Sequence, residues 1–263
     1  MELTEPPPNP LSFAAGLGGE PAPHRRVGIR MWGMMTLLIG TVSNTNIVIT
    51  ADGLSRANPL TGAGIRSNAF QKIFPLPSIS IAIAHHGFNI LAGDPVNEFL
   101  QQFMTNVEKD FTAFGVHEIT IELHKFTDSA AKAIFANPTN KGIIGFWVAG
   151  FSSEELRPLL YEIWWKPNKH CTKKRDLIVF GGDGKEFVRH HIEEFEKDRS
   201  KCEEVSRYSL EDALKFHSKI YEEAEEKQKQ GGEKIFGGHQ HQLVIKKDGW
   251  HWIKPPQALK GID

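Results

Sequence analysis

Apolar and polar positions first fall into a regular pattern at Thr36. Thr36-Leu37-Leu38-Ile39-Gly40-Thr41-Val42 and Ile47-Val48-Ile49-Thr50-Ala51 are β-rich runs, and the Ser43-Asn44-Thr45-Asn46 link between them has turn chemistry, which predicts a hairpin. Asp52-Gly53 ends the second strand, and Pro59, Gly62 and Gly64 mark a loop reaching Asn68. Two more strands are expected, around Lys72-Ile73-Phe74 and from Ser78 to Ala84. In the latter, Ser78, Ser80, Ala82 and Ala84 share one face and Ile79, Ile81 and Ile83 the other. Small residues on one face let a second layer approach closely, while the isoleucines fill a core.

The period then changes. Val96, Leu100, Phe103 and Val107 recur at helical spacing and predict a helix over 94–110. A second helix is expected over 117–135, against the β-branched preference of Ile119, Thr120 and Ile121. Strand patterns return at 143–149, 159–164 and 176–180, the last running into Gly181-Gly182-Asp183-Gly184. Helices follow at 187–195 and from Ser209 to Lys229, where Ser209 and Asp212 have capping-box spacing. A strand over 242–246, a Lys247-Asp248-Gly249 turn and a strand over 250–253 close the pattern. Hairpins without an interleaved β-α-β repeat argue against a parallel sheet. The expected fold class is α+β: a four-layer αββα sandwich of two stacked antiparallel sheets, with helices on the outer faces.

Composition separates the ends from this pattern. Pro6, Pro7, Pro8, Pro10, Pro21 and Pro23, with Gly16, Gly18 and Gly19, make residues 1–30 read as a disordered leader. Residues 31–254 then form one domain and 255–263 a tail. The chain of 263 residues, 40% hydrophobic and 24% charged, has enough apolar material for that single large core. Its formal net charge of -1 provides no global field for nucleic acid or an acidic membrane surface, and neither partner is expected. No apolar run is long enough to span a bilayer as a helix. Two cysteines, Cys171 and Cys202, are too few for a disulfide scaffold and fit a cytoplasmic protein, nuclear as well if eukaryotic.

The order of motifs from 36 to 253 resembles the proteasome β-subunit family of N-terminal nucleophile hydrolases. The resemblance rests on Thr36-Leu37-Leu38-Ile39-Gly40, Ile47 to Asp52, Gln71-Lys72-Ile73-Phe74 and Ile81-Ala82-Ile83-Ala84. Gly142 to Gly150 with Tyr161 resembles the family's central hairpin, Gly182-Asp183-Gly184 its Gly-Ser-Gly turn, and Lys247-Asp248-Gly249 its closing hairpin. The family implies the N-terminal nucleophile fold, no cofactor, and threonine-type hydrolysis of a peptide or small amide. It also implies a homo-oligomer or a proteasome-like ring. Thr36 matches the nucleophile, Asp52 the buried acid and Lys72 the lysine beside the nucleophile. Asp183 and Glu233 match supporting positions, and the backbone N–H of His85, the residue after Ala84, matches the oxyanion donor.

Those roles are chemically coherent. A hydroxyl needs an adjacent base to attack an amide, and a terminal α-amine, with a reference pKa near ~8, suits that task better than a lysine near ~10. A lysine cation held by Asp52 would lower the pKa of that amine and orient the hydroxyl. Chemistry therefore requires Thr36 to become the N-terminus, by cleavage after Met35 or by translation from Met35 followed by methionine removal. The chain departs from the family at Met35 (usually Gly), at Asp183 (usually Ser), at His85 (usually Gly), and at Glu233 and Phe236 (usually Asp and Ser). Phe236 has no hydrogen-bonding side chain. The alternative reading is a catalytically inactive proteasome-like subunit with a structural or assembly role.

Twelve histidines raise the question of a metal. The adjacent pairs His85-His86 and His190-His191 are expected to point apart, and only His239 and His241 could share a strand face. No metal site is expected. Trp164-Trp165, Trp250 and Trp252 read as core or subunit contact, and the 222–229 charge run as a solvated helix end.

Overall fold

The computed structural model describes residues 36–53, 70–108, 114–151, 157–175, 177–231 and 237–256, apart from the side chains of Asp183 and Arg199. The expected leader lies outside these residues, as do nearly all of the expected loop reaching Asn68 and most of the expected tail.

The first hairpin forms as its pattern requires. Strand β1 (Leu38–Val42) pairs antiparallel with β2 (Ile47–Ala51), Leu38 lying opposite Ala51. Ser43 closes the turn: its N–H donates to the Asn46 carbonyl at 2.9 Å, and its Oγ accepts from the Asn46 N–H at 3.2 Å. Strand β3 (Ile73–Pro75) pairs with β4 (Ile81–Gly87). β4 starts later than the alternation suggested, because Ser78 takes a left-handed φ of 65° in a turn and cannot continue a strand. A short hairpin, β5 (Ile90–Leu91) and β6 (Asp94–Pro95), leads into helices α1 (Val96–Val107) and α2 (Val116–Phe135). α2 absorbs its β-branched residues because Ile119 is buried and Thr120 Oγ donates to the Val116 carbonyl one turn back.

Strands β7 (Ile144–Phe151), β8 (Pro158–Lys166), β9 (Lys169–Arg175) and β10 (Ile178–Gly181) follow. A 3-10 segment at Asp183–Val188 then opens onto α3 (Arg189–Lys197), α4 (Arg199–Ser206) and α5 (Leu210–Gly231). The Ser209–Asp212 box caps α5 reciprocally, each residue's N–H donating to the other's side chain at 3.1 Å. β11 (His241–Lys246) and β12 (Gly249–Lys254) complete the chain.

The strands form two five-stranded antiparallel sheets, ordered β10-β1-β2-β11-β12 and β3-β4-β7-β8-β9, so the protein is a mixed α+β fold. Three clusters hold most of the core. One joins Leu38, Ile47, Ile49, Leu243 and Ile245 of the first sheet to Ala82, Ala84, Trp147 and Leu160 of the second. Ala82 and Ala84 therefore face the other sheet, as their small size suggested. Ile81 and Ile83 point the opposite way, into a cluster with Phe99, Leu100 and Phe103 of α1 and Ile119 and Leu123 of α2. The third packs Leu37, Ile39 and Phe180 against Val188 and against Ile220, Tyr221 and Ala224 of α5. At ~1.5–3 kcal/mol for each large side chain buried, these layers supply the main driving force for folding. Among the described residues no helix is long and apolar enough to cross a membrane.

Candidate functional site

Three of the predicted residues meet at one end of the sheets. Thr36, Asp52 and Lys72 are each 0% exposed. Asp52 follows β2 directly, and the β1–β2 ladder carries on past the strand ends: the Asp52 N–H donates to the Leu37 carbonyl at 3.3 Å. Oδ1 of Asp52 accepts from the Leu37 N–H at 2.9 Å and from Lys72 Nζ at 2.7 Å. Its other oxygen accepts from the Gly237 N–H at 3.2 Å. Asp52 extends from the first sheet and Lys72 precedes β3 of the second, so the ion pair ties the two sheets together. Burial pushes the Asp52 carboxyl above its ordinary range and the Lys72 ammonium below its own. Their mutual attraction opposes both shifts, helped at Asp52 by the N–H groups of Leu37 and Gly237.

Thr36 is held by its main chain. Its carbonyl accepts from the Gly184 N–H at 2.9 Å. Gly182 has φ 78°, and a Cβ there would lie 2.0 Å from the Thr36 carbonyl oxygen, so only glycine fits so close. The Gly182-Asp183-Gly184 turn thus lies against Thr36, although the Asp183 side chain is not among those described. Thr36 Oγ has no hydrogen-bond partner among the described residues. A buried hydroxyl without a partner is costly and calls for a chemical reason. Met35, Glu233 and Phe236 lie outside the described residues, so their expected roles are not placed.

The oxyanion assignment needs correction. The His85 N–H donates to the Lys72 carbonyl at 2.9 Å, extending the β3–β4 ladder. An oxyanion donor must point at vacant space, and this one is already engaged. The His85 ring also points away from the expected cleft, lying 5.2 Å from Phe146, a residue of the cluster under α1 and α2.

Sequence reasoning missed His86 and His241. Strand alternation sends His86 to the opposite face from His85, between the sheets. There a Cβ on Gly145 would come within 2.2 Å of its ring, and one on Gly181 within 3.3 Å. His241 pairs with Ala51, one residue before Asp52. Both rings are buried and all four nitrogens lack partners among the described residues. Burial first, and nearby lysines after it, push His86 down to about 3; burial, His239 and Lys72 take His241 to about 4. Both are therefore neutral at physiological pH, so each has one nitrogen to donate and one to accept. The only available signal was parity, because the face each histidine takes depends on a strand register that a single sequence fixes poorly. The expected His239–His241 pairing is partial: the rings lie 5.5 Å apart, but His239 is bonded through Nε2 to the Pro255 carbonyl at 2.7 Å.

The site therefore combines a buried hydroxyl, a lysine–carboxylate pair and two neutral imidazoles. The lysine can stabilise negative charge, and the imidazoles can bind a polar group. In the uncleaved chain the nitrogen of Thr36 is an amide and cannot act as a base. Compared with known proteins, the chain matches no family model and no curated protein.

Proposed function

We propose that the chain is a threonine-type amide or peptide hydrolase whose nucleophile is Thr36 once its amine is exposed. The observation that carries this reading is the buried Asp52 carboxylate. It receives Lys72 Nζ and the N–H of Leu37, the residue after Thr36, on one oxygen, while Thr36 Oγ has no partner among the described residues. Released as an α-amine, Thr36 nitrogen would take the hydroxyl proton, Oγ would attack the amide carbonyl, and the charge of Lys72 would favour the anion that forms. The two antiparallel sheets sharing an apolar layer, with helices packed on their other faces, support the four-layer αββα arrangement of N-terminal nucleophile hydrolases. A cytoplasmic homo-oligomer or ring acting on peptides follows from that family reading.

The test has two steps. N-terminal sequencing and intact mass of the native protein should find Thr36 at the terminus. A threonine-directed electrophile should then label the protein, and Thr36→Ala should abolish labelling. Thr36→Val should do the same without lowering stability, since among the described residues its buried hydroxyl has no hydrogen bond to lose. A native chain starting at Met1 or Met35 would end the hydrolase reading. The 0% exposure of Thr36 and the engaged His85 N–H favour a second reading, a silent subunit with an assembly role. Under that reading a ring assembly persists without labelling.

A further inference from the structure

Away from Thr36, α3 and α5 bring three metal-binding groups together. His190 and His191 were expected to point apart as neighbours. Instead their rings lie with centroids 3.9 Å apart at the start of α3, and both reach Glu223 on α5. His191 Nε2 is 2.7 Å from Glu223 Oε2, and His190 Nε2 is 3.4 Å from the same atom. One ligand atom from each residue lies within 4.8 Å of the others. The cause is local: residues 183–188 form a 3-10 segment that delivers His190 and His191 to the first helical turn, and the long α5 passes beneath them.

We propose that His190, His191 and Glu223 form a zinc site, independent of the chemistry assigned to Thr36. Two imidazoles and one carboxylate are a zinc-type donor set, because hard cations such as magnesium prefer oxygen alone. Bonds of ~2.0–2.2 Å in a tetrahedron put ligand atoms ~3.4 Å apart, so the observed separations need only small side-chain adjustments. Water would take the fourth position. His191 is 12% exposed and Glu223 30%, which leaves the ion shielded on the helix side and reachable from solvent.

The proton inventory identifies the groups that help and hinder. To bind through Nε2, each neutral ring must carry its proton on Nδ1. For His191 that proton faces Glu194, whose carboxylate lies 3.8 Å from Nδ1 and would orient the ring from behind. For His190, Nδ1 now lies 2.9 Å from Lys227 Nζ. That contact must be given up, because a protonated Nδ1 cannot accept from an ammonium. Lys227 keeps an anchor at the Phe187 carbonyl, 3.1 Å away. Lys227 and Lys219, the latter 4.0 Å from Glu223, compete with the ion for the site.

The experiment uses the full chain without a polyhistidine tag, titrated with zinc chloride by calorimetry and by competition with a chromogenic chelator. One ion should bind per chain, with magnesium inert at the same concentration. His191→Ala and Glu223→Gln should each weaken binding by about tenfold or more, and Glu194→Gln by about tenfold. Lys227→Ala should strengthen it, because it removes a competing cation; circular dichroism on each variant checks that the helices remain. Cobalt substitution should give the intense visible bands of a four-coordinate site. No saturable binding, or binding unchanged in both His191→Ala and Glu223→Gln, would overturn the proposal. Weaker binding in Lys227→Ala would overturn it too.

Discussion

Lys72 and Asp52 place opposite charges where neither side chain is exposed, 2.7 Å apart. Such a pair contributes little net stability, because desolvation consumes most of the attraction, yet breaking it is expensive. Lys72→Met leaves the Asp52 carboxylate buried without its lysine and should destabilise the protein by ~3–5 kcal/mol in urea denaturation. Combining it with Asp52→Asn should recover much of that loss, since no uncompensated charge remains. A cost below ~1 kcal/mol for Lys72→Met would show that water reaches the pair. At this scale Thr36, Asp52 and Lys72 are singled out through the family resemblance, while the apolar pattern marks only the strand ends at which they lie, where Asp52 and Lys72 pair. His86 and His241 could not be read from the sequence, because their roles depend on which face of a strand they occupy. The His85 N–H was misassigned for a related reason: only the observed β3–β4 register reveals that it is bonded to Lys72.

At the scale of elements, sequence legibility follows burial. β1, β2 and β4 are fully buried and show as apolar runs. β9, Lys169-His-Cys-Thr-Lys-Lys-Arg175, was not foreseen: it is an edge strand, mostly exposed, and its charges are what an unpaired edge requires to resist association. α4 escaped notice likewise, having little apolar periodicity, and is defined instead by Asp198, whose carboxylate accepts from the Ser200 N–H at 2.9 Å. Packing between elements also explains glycines that the sequence left unassigned. Gly145 of β7 lies under the His86 ring of β4, and a methyl there would come within 2.2 Å of it. Gly145→Ala should therefore cost ~1–3 kcal/mol through overpacking. His86→Ala vacates that space, so the double variant should be more stable than the sum of the single effects by at least ~1 kcal/mol. Strict additivity in thermal and urea denaturation would mean that the two residues do not touch.

Across the whole molecule, neutral histidines are built into separate layers, and this couples the fold to acid. His86 and His241 lie between the sheets. His217 on α5 lies between that helix and the first sheet, its nitrogens 3.1 Å from Thr41 Oγ1 and 2.7 Å from Thr50 Oγ1. Burial holds His86 and His217 down to about 3 and His241 to about 4, against an unfolded value of 6.5. The sign follows from proton counts. Between about pH 4 and pH 6.5 the unfolded chain carries these protons and the folded chain does not, so stability rises with pH and levels off above the unfolded value. Each group contributes ~1.4 kcal/mol per pH unit well inside that window, or ~4 kcal/mol per unit for the three together. Asp52, with its carboxyl raised by burial, acts in the opposite sense, but it is outnumbered, since burial also pushes His85 well down. A typical reserve of ~5–15 kcal/mol is then exhausted within a few pH units. Urea denaturation between pH 7.5 and roughly pH 5 should therefore show steep loss on the acid side and a plateau on the other. His217→Asn, which cannot titrate, should lower the slope by ~1.4 kcal/mol per unit even if it reduces stability at neutral pH. A stability that stays flat down to about pH 4.5 would mean that these rings are charged or hydrated in the folded protein. The space between the sheets beside Lys72 would then be wet and polar rather than closed.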